Sequence, residues 1–176
     1  KEYKIYLAAL KYDEDRGTKF STYLGNETKW NCLNTYNTHP GLLGTIGLRF
    51  SNNQYELKEG DRIGWATNNE KPEPVDIVGH NWFFHRDLLS IFWRELPAIN
   101  ESFVVGEDIH FSHMIQKYTD LGTWVPPHPP GNKRLWGSLK AAQYGGDDNA
   151  TGNFAIPMMQ EYLKESVARG FKLMKG

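Results

Sequence analysis

Two apolar runs constrain this chain most: LLGTIGLRFS at 42–51 and VDIVGHNWFFH at 75–85. Both are rich in β-branched and aromatic residues, so both read as strands. The first is punctuated by glycine. The second runs into Gly79-His80-Asn81-Trp82. Between them lies SNNQYELKEGDRIGWATNNEKPEP (51–74), polar, rich in Asn and Gly, and closed by two prolines. That composition predicts a hairpin or a long surface loop.

Helical periodicity follows. DLLSIFWREL (87–96) sets Leu88, Leu89, Phe92, Trp93 and Leu96 on one helical face, with Asp87 as N-cap. From about Asp108, Phe111, Met114, Ile115 and Tyr118 repeat at i, i+3, i+4, i+7. A last helix is expected from Pro157 to about Gly170, with Met158 and Met159 as core filler. KIYLAALKY (4–12) is strand-like, although Ala-Ala-Leu also permits a helix. Residues 13–31 read as loop. TWVPPHPPG (123–131) reads as a short strand broken by prolines, and 132–153 as a long ordered loop. Strands and helices are mixed in order, which gives α/β or α+β, and the expectation taken is α/β, a mixed sheet flanked by helices. The 176 residues suffice for one domain, 1–176.

Charge narrows the partners. Twenty Lys and Arg stand against 21 Asp and Glu, a formal net charge of −1. Nothing in that balance calls for nucleic acid or an anionic membrane. No run of 18 apolar residues exists, so no membrane span is expected. Cys32 is the single cysteine, which excludes an internal disulfide framework and favours a reducing, cytoplasmic location. Three glycosylation sequons, at Asn26, Asn100 and Asn149, are weak evidence for secretion. Aromatic residues make up 14% of the chain, a composition that suits sugar stacking or simply an aromatic core.

The chemistry-bearing stretch is VVGEDIHFSHMIQKY (104–118), where Glu107 and Asp108 stand side by side as a helix begins. The macrodipole and free N–H groups there stabilise negative charge by roughly 0.3–1 kcal/mol each. A carboxylate so placed is expected to stay ionised and to serve as a general base or a metal ligand. An ordinary cap with a first-turn acid would look the same. His110 and His113, spaced i, i+3, could join Asp108 on a metal or be exposed surface residues.

In order, PGLLGTIGLRF, VDIVGHNWFFHRDLL, GEDIHFSHMIQKY and TWVPPHP resemble nucleotide-sugar-dependent glycosyltransferases of the A-type fold. The likeness is to the acceptor-side half of inverting, family-2-like enzymes, and residues 40–130 carry it. It implies Asp108 as catalytic base, with Glu107 orienting the acceptor or holding Asp108. It implies an acceptor pocket lined by His80, Asn81 and Trp82, with Trp82 beneath the sugar. It implies His128 as a metal or pyrophosphate contact, and Lys133 and Arg134 beside the diphosphate leaving group. A divalent cation, Mn²⁺ or Mg²⁺, is the implied cofactor, and a nucleotide-sugar donor and a carbohydrate acceptor are the implied partners. The family's donor half, with its Asp-x-Asp metal motif, normally comes first. Asp13-Glu14-Asp15 matches that pattern early in the chain, and Asp147-Asp148 follows the acidic pair instead. The chain therefore reads as a C-terminal part of a larger catalytic domain, or as a reduced version of one. A non-catalytic carbohydrate-binding or scaffold domain is the first alternative. A metal-dependent hydrolase using Asp108, His110, His113 and His128 is the second.

Overall fold

The computed structural model describes residues 5–6, 26–97, 106–137 and 156–175. Asp13–Asp15, Asp147, Asp148 and most of 4–12 lie outside these. The described part is a mixed six-stranded sheet with helices on both faces. Its strands are β1 (Ile5–Tyr6), β2 (Gly41–Leu48), β3 (Arg62–Ile63), β4 (Glu73–Pro74), β5 (Ile77–His85) and β6 (Gly122–Val125). Its helices are α1 (Asn26–Thr38), α2 (Leu89–Phe92), α3 (Glu107–Tyr118) and α4 (Ile156–Ala168). The mixed α/β class is thus as expected.

The two apolar runs are the centre of the sheet. The order is β1-β5-β2-β6-β4, with β3 on β2. β5 lies antiparallel along one edge of β2. The other edge is shared: Gly41–Leu43 pair in parallel with β6, and Gly47–Leu48 pair antiparallel with β3. β2 is therefore covered on both edges and both faces, which is why its sequence is apolar throughout. Side chains alternate between two layers. Leu42, Val78, Trp82 and Phe84 point to a core with Phe92, Phe111 and Ile115, beneath α2 and α3. Leu43 and Phe83 point the other way, to Cys32 and the partly buried Leu33, Tyr36 and Trp124, beneath α1. A third cluster joins Phe50, Ile77 and Ile109 to Tyr162, Leu163 and Phe171, seating α4 and the C-terminal segment.

Several elements depart from expectation. Helix α1 begins within the segment read as loop. Its sequence is polar, and tertiary anchors fix it: Asn31 Nδ2 donates to the carbonyls of Pro127 (2.8 Å) and Leu135 (3.0 Å), and Thr28 donates to the Arg134 carbonyl (2.6 Å). Cys32 on its inner face is buried, and burial pushes its thiol up to about 12. The helix expected over 87–96 shrinks to a 3₁₀ turn at 86–88 plus the single turn of α2. His85, not Asp87, caps that turn by accepting from the Asp87 N–H. Leu89, Trp93 and Leu96 are exposed, so the expected five-residue apolar face does not form. Met158 is also at the surface rather than in the core. Among the described residues, no helix is long and apolar enough to cross a membrane.

Candidate functional site

The site begins at Gly106. Its φ of +87° places it in the left-handed region, so the chain can turn from the preceding segment into α3. A side chain there is excluded twice, because an added Cβ would lie 2.7 Å from the ring of Tyr162. Glu107 and Asp108 then occupy the first turn of α3. Asp108 turns toward β5: its Oδ2 is 3.5 Å from the point where a Gly79 Cβ would stand. A Cβ at position 79 would meet that carboxyl at ordinary van der Waals distance, so the helix start lies close against the strand here.

The electrostatics reverse the expectation of a permanently ionised pair. Burial raises Asp108 well above the ordinary carboxylate range, and the Glu107 charge beside it raises it further. The Trp82 indole N–H opposes this as a nearby donor, without reaching full hydrogen-bond geometry. Burial also raises Glu107, whose Oε2 is buried without a hydrogen-bond partner among the described residues. Magnitudes decide the outcome. A helix N-terminus contributes roughly 0.3–1 kcal/mol, less than one pKa unit, while desolvation of a carboxyl can amount to several units.

A bulge presents the next residues. Gly44 pairs with Trp82 and Ile46 with Gly79, so His80 and Asn81 together face Thr45 alone. His80 takes the left-handed conformation, φ +64°. Its ring is 5.6 Å from Trp65, and burial pushes it down to about 4. Asn81 Nδ2 donates to the Gly137 carbonyl at 2.7 Å. Trp82, expected beneath the sugar, instead belongs to the core: it is 5% exposed and packs edge-on against Phe111 at 5.4 Å. Alternation along β5 explains this, since Trp82 shares the α3-facing layer with Phe84.

The residues expected on the donor side lie along a second arc. His128 is fully buried, with its ring stacked on Trp136 at 5.2 Å and 11°. An added Cβ on Gly64 would be 2.5 Å from His128 Cε1. Burial pushes His128 down to about 4, and neither ring nitrogen makes a full hydrogen bond within the described residues. Contacts thus run in a closed circuit: His80 to Trp65, Gly64 to His128, His128 to Trp136, and Gly137 back to Asn81. Lys133 and Arg134 form a 3₁₀ turn on the α1 side of this circuit. Lys133 Nζ is 5.1 Å from the Trp136 ring, and Arg134 is largely exposed, 3.6 Å from Glu27.

A cation site does not come together here. Among the described residues, no group of three His, Cys, Asp or Glu side chains is arranged to hold a metal. His110 and His113 are buried rather than exposed, at 2% and 1%. His110 Nε2 lies 2.8 Å from the Phe92 carbonyl, and His113 packs on Phe171. His128 is enclosed by Trp136 and Gly64. The described residues thus present no ligand set for the implied Mn²⁺ or Mg²⁺.

The loop at 51–74 supplies what sequence reading missed. Trp65 stands against His80, Arg62 lies over Trp65 at 4.7 Å, and the Tyr55 phenol is pushed up by burial and by the charges of Asp108 and Glu107. The available signal was an isolated Gly-Trp inside an otherwise polar segment. Comparison with protein-family models, with curated proteins and with solved structures finds no match to this chain.

Proposed function

We propose that this chain carries the acceptor side of a glycosyltransferase that uses a nucleotide-sugar donor. The observation that carries the reading is the placement of Asp108: an enclosed carboxyl at a helix start, against Gly79 and beside the bulged His80. A base with a raised pKa is a better proton acceptor near neutral pH than an ordinary aspartate. In the proposed step Asp108 takes the acceptor O–H proton as that oxygen bonds to the anomeric carbon. The bond from that carbon to the diphosphate breaks, and the diphosphate leaves with the electron pair. Glu107 holds charge beside Asp108 and keeps its basicity high. His80 and Asn81 shape the acceptor side, and Lys133 and Arg134 provide cationic character toward the diphosphate. A divalent cation belongs to this proposal as the diphosphate's partner. The described residues offer it no ligand set, so no step here runs through it.

The test is turnover with a panel of nucleotide-hexoses and glycan acceptors. Asp108→Asn is expected to lower kcat by roughly 10²–10⁴ and to leave donor affinity unchanged. Equal turnover in the variant would remove Asp108 as base. A second reading, a carbohydrate-binding domain without catalysis, draws on the same raised carboxyls, because a protonated acid can donate a hydrogen bond to a sugar. That reading expects sugar binding without turnover, weakening as pH rises and the acids ionise.

A further inference from the structure

We propose that Arg62, held over the Trp65 ring, is a binding site for an anionic substituent on the acceptor: a carboxylate, sulfate or phosphate carried by a sugar. This rests on the transferase reading only for the word acceptor. The cation is built into a constrained turn. Gly64 and Ala66, on either side of Trp65, both have positive φ, +76° and +55°. The left-handed conformation is strained for a residue with a Cβ such as Ala66. The Gly64 N–H donates to Thr67 Oγ1 at 3.1 Å, and the Thr67 hydroxyl donates to the Arg62 carbonyl at 3.4 Å. Gly64 is also pinned beneath His128, where an added Cβ would not fit. A strained turn fixed at both ends keeps the Trp65 ring in one place, half-exposed, with the guanidinium 4.7 Å from its centre.

The surroundings leave that charge available. Arg62 is exposed and has no carboxylate partner among the described residues. The carboxylate next to it in sequence, Asp61, is engaged by Lys175 at 2.6 Å. Trp65 connects the cation to the proposed reaction centre through His80, whose neighbour Gly79 abuts Asp108. A guanidinium lying over an aromatic ring keeps its N–H edge directed outward, the geometry that grips a planar carboxylate or a phosphate. Arg62 is thus the binding residue and Trp65 the positioning residue.

Affinities of the full chain for methyl β-D-glucoside, methyl β-D-glucuronide and glucose 6-phosphate, measured by ligand-observed NMR, test this. At least one charged sugar is expected to bind about five-fold more tightly than the neutral one at low salt, and the preference is expected to fade as salt is added. A preference for the glucuronide alone assigns a carboxylate, and one for the phosphate alone assigns a phosphorylated acceptor. Arg62→Gln should abolish the preference and leave neutral-sugar binding intact. Trp65→Leu should reduce the preference while circular dichroism stays unchanged. Equal binding of the three probes, no binding of any, or a preference that survives Arg62→Gln overturns the proposal. Turnover of nucleotide-hexoses is measured alongside. Absent turnover with an Arg62-dependent preference overturns only the transferase reading. Intact turnover without the preference overturns only this one.

Discussion

Asp108 Oδ2 lies 3.5 Å from the position that a side chain on Gly79 would first occupy, so the helix start and the strand share one small space. Filling that space is a direct probe of the proposed base. Gly79→Ala would put a methyl 3.3 Å from Ile46 Cγ1 as well, a tight but accommodating fit. A stability loss of roughly 1 kcal/mol is expected in urea titration. The larger effect should fall on chemistry: a drop in kcat of roughly 10-fold or more, with donor affinity preserved. The extra methyl further desolvates Asp108, so the acidic limb of the pH–rate profile should move to higher pH.

Gly106 allows no such latitude. Any L-residue there must adopt a φ of +87° and push against the Tyr162 ring. The conformational cost is roughly 1–2 kcal/mol, and overpacking adds roughly 1–3. Gly106→Ala is expected to lose about 2–5 kcal/mol in equilibrium unfolding. In the Tyr162→Ala background the same substitution should cost less, because only the backbone strain remains, and a double-mutant cycle would measure the difference.

Acid should weaken the fold in a defined window. Burial holds His80, His113 and His128 down at about 4, against an unfolded value near 6.5. With folded values depressed, the unfolded chain binds protons first. The stability is therefore fully present above pH 6.5 and is lost as pH falls through about 4. Asp108 acts with the opposite sign. Its raised folded value makes ionisation costly, so its contribution is present in acid and is lost as pH rises through that value. Asp108→Asn should accordingly raise stability at alkaline pH and change it little in acid. Urea midpoints collected from pH 4 to 9 on both proteins would check the two signs.

How much of this was legible depended on whether local pattern or long-range contact decided each element. β2, β5 and α3 were readable because their apolar residues are both the pattern and the packing. α1 was not, because its seat comes from Asn31 and Thr28 reaching carbonyls about 100 positions away. The 87–96 helix was over-read: its periodicity is present, but only Leu88 and Phe92 are fully buried, with Ile91 packed partly against the core. At the site, the acid pair and the Gly79-His80-Asn81 turn were found by residue type. Their protonation was misjudged because sequence reports the helix dipole and not the burial. Trp65 and Arg62 were missed because their partner, His80, is brought to them by a bulge and a long loop.

Trp82 connects the core to the site, and two substitutions separate its roles. The side chain is 5% exposed, packs against Phe111, and shares a layer with Val78 and Phe84. Trp82→Ala would leave a large cavity there and is expected to cost roughly 3–5 kcal/mol, a substantial share of the stability of a domain this size. Loss of activity in that variant would therefore say little about the sugar. Trp82→Phe keeps most of the apolar volume and removes the indole N–H, the one group that lowers Asp108 against burial and the Glu107 charge. The Phe variant should stay folded, with a stability loss near 1 kcal/mol. Its Asp108 should then titrate at higher pH than in the parent, moving the acidic limb of the rate profile upward while the plateau rate changes less. A profile that coincides with the parent's, in a protein shown to be folded, would mean that the indole N–H does not act on Asp108.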